Sequence, residues 1–215
     1  MDTEVKLISG GVYKTSFSEE PIRVLKFDDI EVFYDSYWSS LNKWSLASSL
    51  KRSGAYYRLS TDFFLKNATF LRHQPLTIEE INTFRPDLPN RLCRNKKMYW
   101  TDKIFDNLDE YKTFAYQFGC DTSDNIVLPV PSITLEPFGA KGRVTSLKST
   151  LITSVDKGGF SCIELLWLAN NIQAEHSKHI VDKGVGIYRS GHSKKVPSYY
   201  IWGYYDMADN IPKEE

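Results

Sequence analysis

The chain has 215 residues, with 27 Lys+Arg balanced by 27 Asp+Glu and a pI near 6.9, a balance that excludes a histone-like polycation or a charged tail. At 41% hydrophobic and 25% charged residues, it holds enough apolar material for a sizeable core in one large domain or two small ones. The neutrality averages blocks of opposite sign, −3 over 1–50, +6 over 51–100, −5 over 101–136, +5 over 137–203 and −3 beyond, so a surface with separate positive and negative fields is expected.

Gly11-Val12-Tyr13-Lys14 is a β-prone run, and Arg23–Phe27 with Glu31–Tyr34 flank an Asp28-Asp29 turn, which predicts a hairpin. Such short strands in close succession suit a curled, small barrel-like sheet. Trp38, Leu41 and Trp44 recur every three residues and read as one helical face, with a third strand as the alternative. Ala55–Leu59 reads as a strand. Ser60-Thr61-Asp62 then supplies an N-cap for a helix through Leu71, stopped by Pro75. Thr77 and Glu80 have capping-box spacing for a short helix ending before Pro86, and RPDLPNRL reads as a loop. Lys97–Trp100 suggests a strand, and Ile104, Leu108, Tyr111, Ala115 and Phe118 line a helix that Gly119 terminates.

Asp121–Asn125 is the most linker-like stretch and divides the chain into a β-rich part with helices, 1–120, and an α+β part, 121–215, within what can also be one continuous domain. Ile126–Val130 and Ile133–Leu135 read as strands, while Val144–Val155 is ambiguous between helix and strand. Ser161 and Glu164 form a second capping-box pattern, opening a helix from Cys162 to about Ser177 whose polar second half, NNIQAEHSKH, is expected to be exposed. Val185–Arg189 and Ser198–Tyr205 form the closing hairpin around the loop SGHSKKVP. The order of elements gives an α+β fold with mainly antiparallel sheets and about four helices.

The N-terminal MDTEVKLISGG lacks the features of a secretory signal, and no window approaches the roughly 18 apolar residues of a membrane span. Cys93, Cys120 and Cys162 are odd in number and widely spaced, which favours reduced thiols in a cytoplasmic protein over a disulfide framework or a zinc site. Gly186-Ile187-Tyr188 and Tyr200-Ile201-Trp202-Gly203 resemble the paired strand signature of the GIY-YIG endonucleases. That resemblance implies two tyrosines beside a scissile phosphate, and a downstream arginine and metal-binding glutamate. The following YYDMADNIPKEE has no arginine and little room for those helices, so an aromatic hairpin packed on the Cys162 helix explains the same residues better. Gly186-x-x-x-x-Gly191 is followed by His192-Ser193 where a phosphate loop needs lysine and then Ser or Thr. His176 with His179, backed by Asp182 or His192, and the set Asp28, Asp29, Glu31 and Asp35 have metal-ligand character; helix capping and turn formation are the plainer explanations.

Four basic segments are interleaved with flat side chains: 51–58, 91–100, 141–148 and 187–200. Cations neutralise phosphates and aromatic rings stack on bases, so this pattern points to a cytoplasmic nucleic-acid-associated binding protein without catalytic machinery, cofactor or metal, of a phage, plasmid or defence-type setting. The expected phosphate contacts are Arg94, Lys96, Lys97, Arg189, Lys194 and Lys195, and the expected stacking residues Tyr99, Trp100 and Tyr199. The alternatives are a protein–protein interaction module or self-associating scaffold, since Tyr, Trp and Arg anchor interfaces, and a divalent-metal nuclease. No membrane partner is expected.

Overall fold

The computed structural model describes residues 6–137, 148–155, 158–179 and 184–202. The architecture is α+β, with four α-helices and mostly antiparallel sheets among the described residues, as the element order implies. The chain forms two compact units. The first runs to Pro86 and includes Gly191–Lys195; the second comprises Asp87–Ser190 and resumes at Val196. No helix among the described residues is long and apolar enough to cross a membrane.

The first unit contains β1 (Gly11–Thr15), β2 (Ser18–Phe27), β3 (Glu31–Trp38), β4 (Lys43–Trp44), β5 (Gly54–Ala55), β6 (Tyr57–Ser60), α1 (Thr61–Asn67), β7 (Ala68–His73) and α2 (Ile78–Phe84). Its antiparallel sheet has the order β4-β3-β2-β1-β7, with β6 also on β3. Among the described residues it is open and does not close into the barrel-like form the succession of strands suggests. The β2–β3 hairpin turns where the sequence indicates, because Asp28 Oδ1 accepts from the Ile30 and Glu31 amides at 2.9 and 2.7 Å. Alternation along β2 then sends Ile22 and Val24 to a core with Tyr13, Val32 and Phe64. A smaller cluster forms from Leu25, Leu46 and Phe84.

Three expectations fail here for identifiable reasons. Trp38 and Trp44 do not share a helical face: Ser39–Leu41 make a 3-10 turn, Asn42 takes φ 50°, and the chain returns as β4 with Trp44 buried and Trp38 exposed. The Ala55–Leu59 run breaks in two, because Gly54–Ala55 and Tyr57–Ser60 pair with different strands. The helix capped by Ser60 stops at Asn67, whose carbonyl accepts from Ser16 at 3.1 Å. Beyond it residues 68–73 pair along β1 as an edge strand. A ladder partner outweighs the helical periodicity there.

The second unit contains β8 (Arg91–Asn95), α3 (Leu108–Tyr116), β9 (Ile126–Leu128), β10 (Ser132–Glu136), β11 (Thr150–Thr153), β12 (Phe160–Ser161), α4 (Cys162–Gln173), β13 (Val185–Ser193) and β14 (Val196–Trp202), the last two crossing into the first unit at their shared tip. The order β11-β10-β14-β13 includes one parallel pairing, β10 with β14, and β8 lies on β13. Strand β8 falls partly in the expected loop, while Lys97–Trp100 is irregular because Asn95 Oδ1 caps the amides of Lys97 and Met98. Segment 144–147 lies outside the described residues.

Ser161 caps α4 through its Oγ on the Glu164 amide, at 3.2 Å, but Glu164 bonds Val155 instead of closing the box. The polar second half of α4 is not an exposed face. Asn170 and Gln173 are fully buried, and Asn170 and Asn171 hold the backbone of Thr101, Lys103 and Phe105 at 2.9–3.1 Å. These amides satisfy the irregular 101–105 segment, which pairs with no strand among the described residues. Leu128, Ile133, Leu135, Ile163, Leu166, Ile187 and Ile201 build the core beneath. Tyr188 and Tyr200 stack on each other at 5.5 Å between ring centroids.

Candidate nucleic-acid interface

The tip joining β13 to β14 is tighter than the sequence suggests: the expected loop SGHSKKVP is strand on both sides of a two-residue turn, Lys194-Lys195. Both lysines have positive φ, 50° and 69°, the signature of a type I′ hairpin turn, where Asn-Gly is the favoured pair because side chains other than Asn, Asp and Gly resist this region. Two lysines are held in an unfavourable conformation with their ammonium groups outward, the kind of local strain that concentrates at functional positions.

The tip belongs to the first unit and docks beside a second basic segment. Gly191 and His192 pair with Ala55 and Gly54 of β5. The approach demands glycine on both sides, since a Cβ at Gly191 would collide with the Gly54 carbonyl and one at Gly54 with Ser49 and His192. His192 is buried beside Phe84 and Tyr56, with Nε2 3.2 Å from the Ser49 carbonyl oxygen. The Lys194 amide donates to Arg52 O at 3.3 Å, and Ser53 Oγ donates to Ser193 Oγ at 2.9 Å. Lys51, Arg52, Lys194 and Lys195, from chain segments some 140 residues apart in sequence, thus form one exposed basic edge, with Ser53 and Ser193 between them. Glu79 is the acidic neighbour, 3.2 Å from Lys195 Nζ.

Lys194 and Lys195 stand out on this edge. In the second unit Lys96, Lys97 and Tyr99 are exposed and Arg94 is half-buried, Tyr99 leaning edge-on against Phe114 and Phe118. Three residues expected at the surface are interior. Trp100 is 3% exposed and donates Nε1–H to Trp202 O; Tyr199 is fully buried; Arg189 is 3% exposed, its guanidinium 5.1 Å from the Tyr199 ring centroid. A ring packed on both faces offers nothing to a base, so these three act in the fold. Alternation along β14 turns Tyr199 inward, while β13 is buried on both faces around Arg189, directions that composition does not reveal. Of segment 141–148 only Lys148 is described, and it is exposed. Lys51 and Arg52 escaped selection as site residues because their link to the tip is a long-range pairing.

The candidate acidic set disperses. Among the described residues no three His, Cys, Asp or Glu side chains gather as metal ligands. Asp28 serves the hairpin turn, Glu31 lies 3.9 Å from Arg58, and Asp35 is buried against Arg23, Ser45 Oγ and the Leu46 amide. His192 is committed to the core of the first unit, and the side chain of His179 and all of Asp182 lie outside the described residues.

Compared with known proteins, the chain matches no family model, no curated protein and no solved structure.

Proposed function

We propose that the protein is a cytoplasmic nucleic-acid-associated binding protein without catalytic machinery of its own, and that it holds the phosphate backbone at the basic edge of the first unit. The observation that carries this reading is the Lys194-Lys195 turn, strained and exposed, bonded to the Lys51–Ser53 segment. Lysine and arginine there would neutralise phosphates while the two serines donate to phosphate oxygens. Contacts of this kind to the phosphate backbone carry no sequence information, so binding is expected to be tolerant of sequence.

Fluorescence anisotropy with labelled single-stranded and duplex oligonucleotides tests the reading. Engagement of about three phosphates gives a slope of log K against log salt near −3, and a roughly 50-fold loss of affinity between about 50 and 200 mM salt. The pair K194E/K195E should lower affinity uniformly across sequences and flatten the slope by about 2. Absence of binding at low salt, or affinity indifferent to salt, overturns it.

One observation favours a second reading, an interaction module. Strand β7 is paired on one side only among the described residues, and Phe70 and Leu71 on it are 44% and 47% exposed. An edge of that kind can accept a strand from another chain. Light scattering after size exclusion distinguishes self-association, and L71K should abolish it.

A further inference from the structure

Four aromatic rings line one margin of the first unit's core, each within ring-contact distance of the next. Tyr34 of β3 and Tyr57 of β6 are cross-strand partners and stack at 5.5 Å between centroids, with 25° between their planes. Phe17 lies 6.4 Å from Tyr34 and 5.5 Å from Phe63 of α1. It occupies the two-residue turn between β1 and β2, where glycine and short polar residues are the usual choice. Phe17 and Tyr34 are half-buried against the core of Tyr13, Val32 and Phe64, whereas Tyr57 and Phe63 are 42% and 45% exposed. Single exposed rings are ordinary on a protein surface; a connected row of them marks a place of contact. Among the described residues Tyr34 is the one ring against Tyr57, so Tyr57 has one face covered by a flat neighbour and the other left to solvent. The buried rings of Trp100 and Tyr199 have no such face.

We infer that the outer face of Tyr57, backed by Tyr34 and Phe17, stacks an unpaired base of a single-stranded nucleic acid whose phosphates lie on the basic edge of the same unit. Such a site presupposes the phosphate contacts proposed for that edge and specifies the kind of strand they hold. Tyr57 follows Arg52 by five residues, so their Cα atoms are at most about 18 Å apart. Its neighbour Tyr56 packs on His192, 6.4 Å between ring centroids, two residues before the Lys194-Lys195 turn. One chain segment thus carries both cations and the exposed ring. Glu19 and Asp62 are exposed close in sequence to Phe17 and Phe63; they repel phosphates from that end of the row and direct the backbone to the Tyr57 end. A base inside a duplex already has both faces covered by its neighbours, so an unpaired base is the one that can use the ring. Every base has a π-face, and the contact is therefore as tolerant of sequence as the phosphate contacts are.

Fluorescence anisotropy on the full-length wild-type chain compares a labelled single strand with its duplex and with an abasic strand of the same length and charge. The intact single strand should bind about tenfold more tightly than the abasic one. The two should share one salt slope, because their phosphates are the same. Y57F should bind as the wild type does. Y57L, which keeps apolar bulk without a flat ring, should lose about tenfold for the intact strand and nothing for the abasic strand. Salt-dependent binding that is equal for intact and abasic strands, that favours the duplex, or that Y57L retains in full overturns the ring site and leaves the phosphate edge standing. No binding to any of the three at low salt overturns both. Should Y57L fail to fold, the comparison of strands on the wild-type chain decides.

Discussion

Arg23 shows most plainly how a single residue shapes the first unit. It is 2% exposed, lies 4.7 Å from the Trp44 ring centroid, and pairs with Glu80 at 2.6 Å and Asp35 at 3.4 Å. One buried cation faces two buried carboxylates. Replacing it by methionine leaves both acids without a counter-charge, and R23M should cost about 3–5 kcal/mol in urea unfolding. Asp35 itself is pushed above its ordinary pKa, chiefly by burial and also by Glu80, against the lowering effects of the Leu46 amide, Ser45 and Arg23. A carboxyl group whose folded pKa is raised stabilises fully below its unfolded value near 4, and loses that contribution as pH rises through the folded value. The wild-type first unit should therefore lose stability over that rise relative to D35N; parallel pH profiles for the two proteins would remove Asp35 as the cause. At the hairpin tip the trade runs the other way: K194N/K195G should raise stability by about 1 kcal/mol in urea unfolding while weakening oligonucleotide binding. A stabilised variant that binds as before would place the interface elsewhere.

Among the elements, α2 is the clearest case of local sequence deciding structure. The helix is only seven residues long, and its Thr77–Glu80 capping box is complete, with Glu80 Oε2 accepting from the Thr77 amide at 2.8 Å. The same carboxylate holds Arg23, so cap and buried ion pair are one unit. T77A should cost about 1 kcal/mol by removing one side of the box. E80A should cost several times as much in the same chemical-denaturation assay, because Arg23 also loses its closest partner. Caps and turns of this sort were legible because their chemistry is local: Ser60, Thr77 and Ser161 each cap a helix, and Asp28 makes its turn. Where partner strands decide, periodicity misleads. Ala68 and Leu71 fit a helical stripe yet lie in β7, and Trp38, Leu41 and Trp44 fit a helical face, yet Trp38 and Trp44 bracket a 3-10 turn that ends at Leu41. The candidate site was legible to the same extent: Lys194 and Lys195 are visible as charge, whereas the pairing that brings Lys51 and Arg52 beside them spans most of the chain.

At the scale of the whole molecule, the alternating charge blocks become positions. The +6 block divides between the units, its 51–58 segment in the first and 91–100 in the second, and the tip of the +5 block returns to the first. The Asp121–Asn125 segment lies within the second unit, between α3 and β9. The first unit also depends on residues encoded far away: Gly191 and His192 complete β5 and cover Phe84. A ribosome that has released Pro86 has therefore delivered a first unit with a bare backbone edge at Gly54–Ala55 and an uncovered aromatic ring. Its closing piece emerges only about a hundred residues later, at roughly 5–20 residues per second. During those seconds the nascent chain carries a vacancy that its own later sequence must fill, and a fragment ending at Pro86 keeps it permanently.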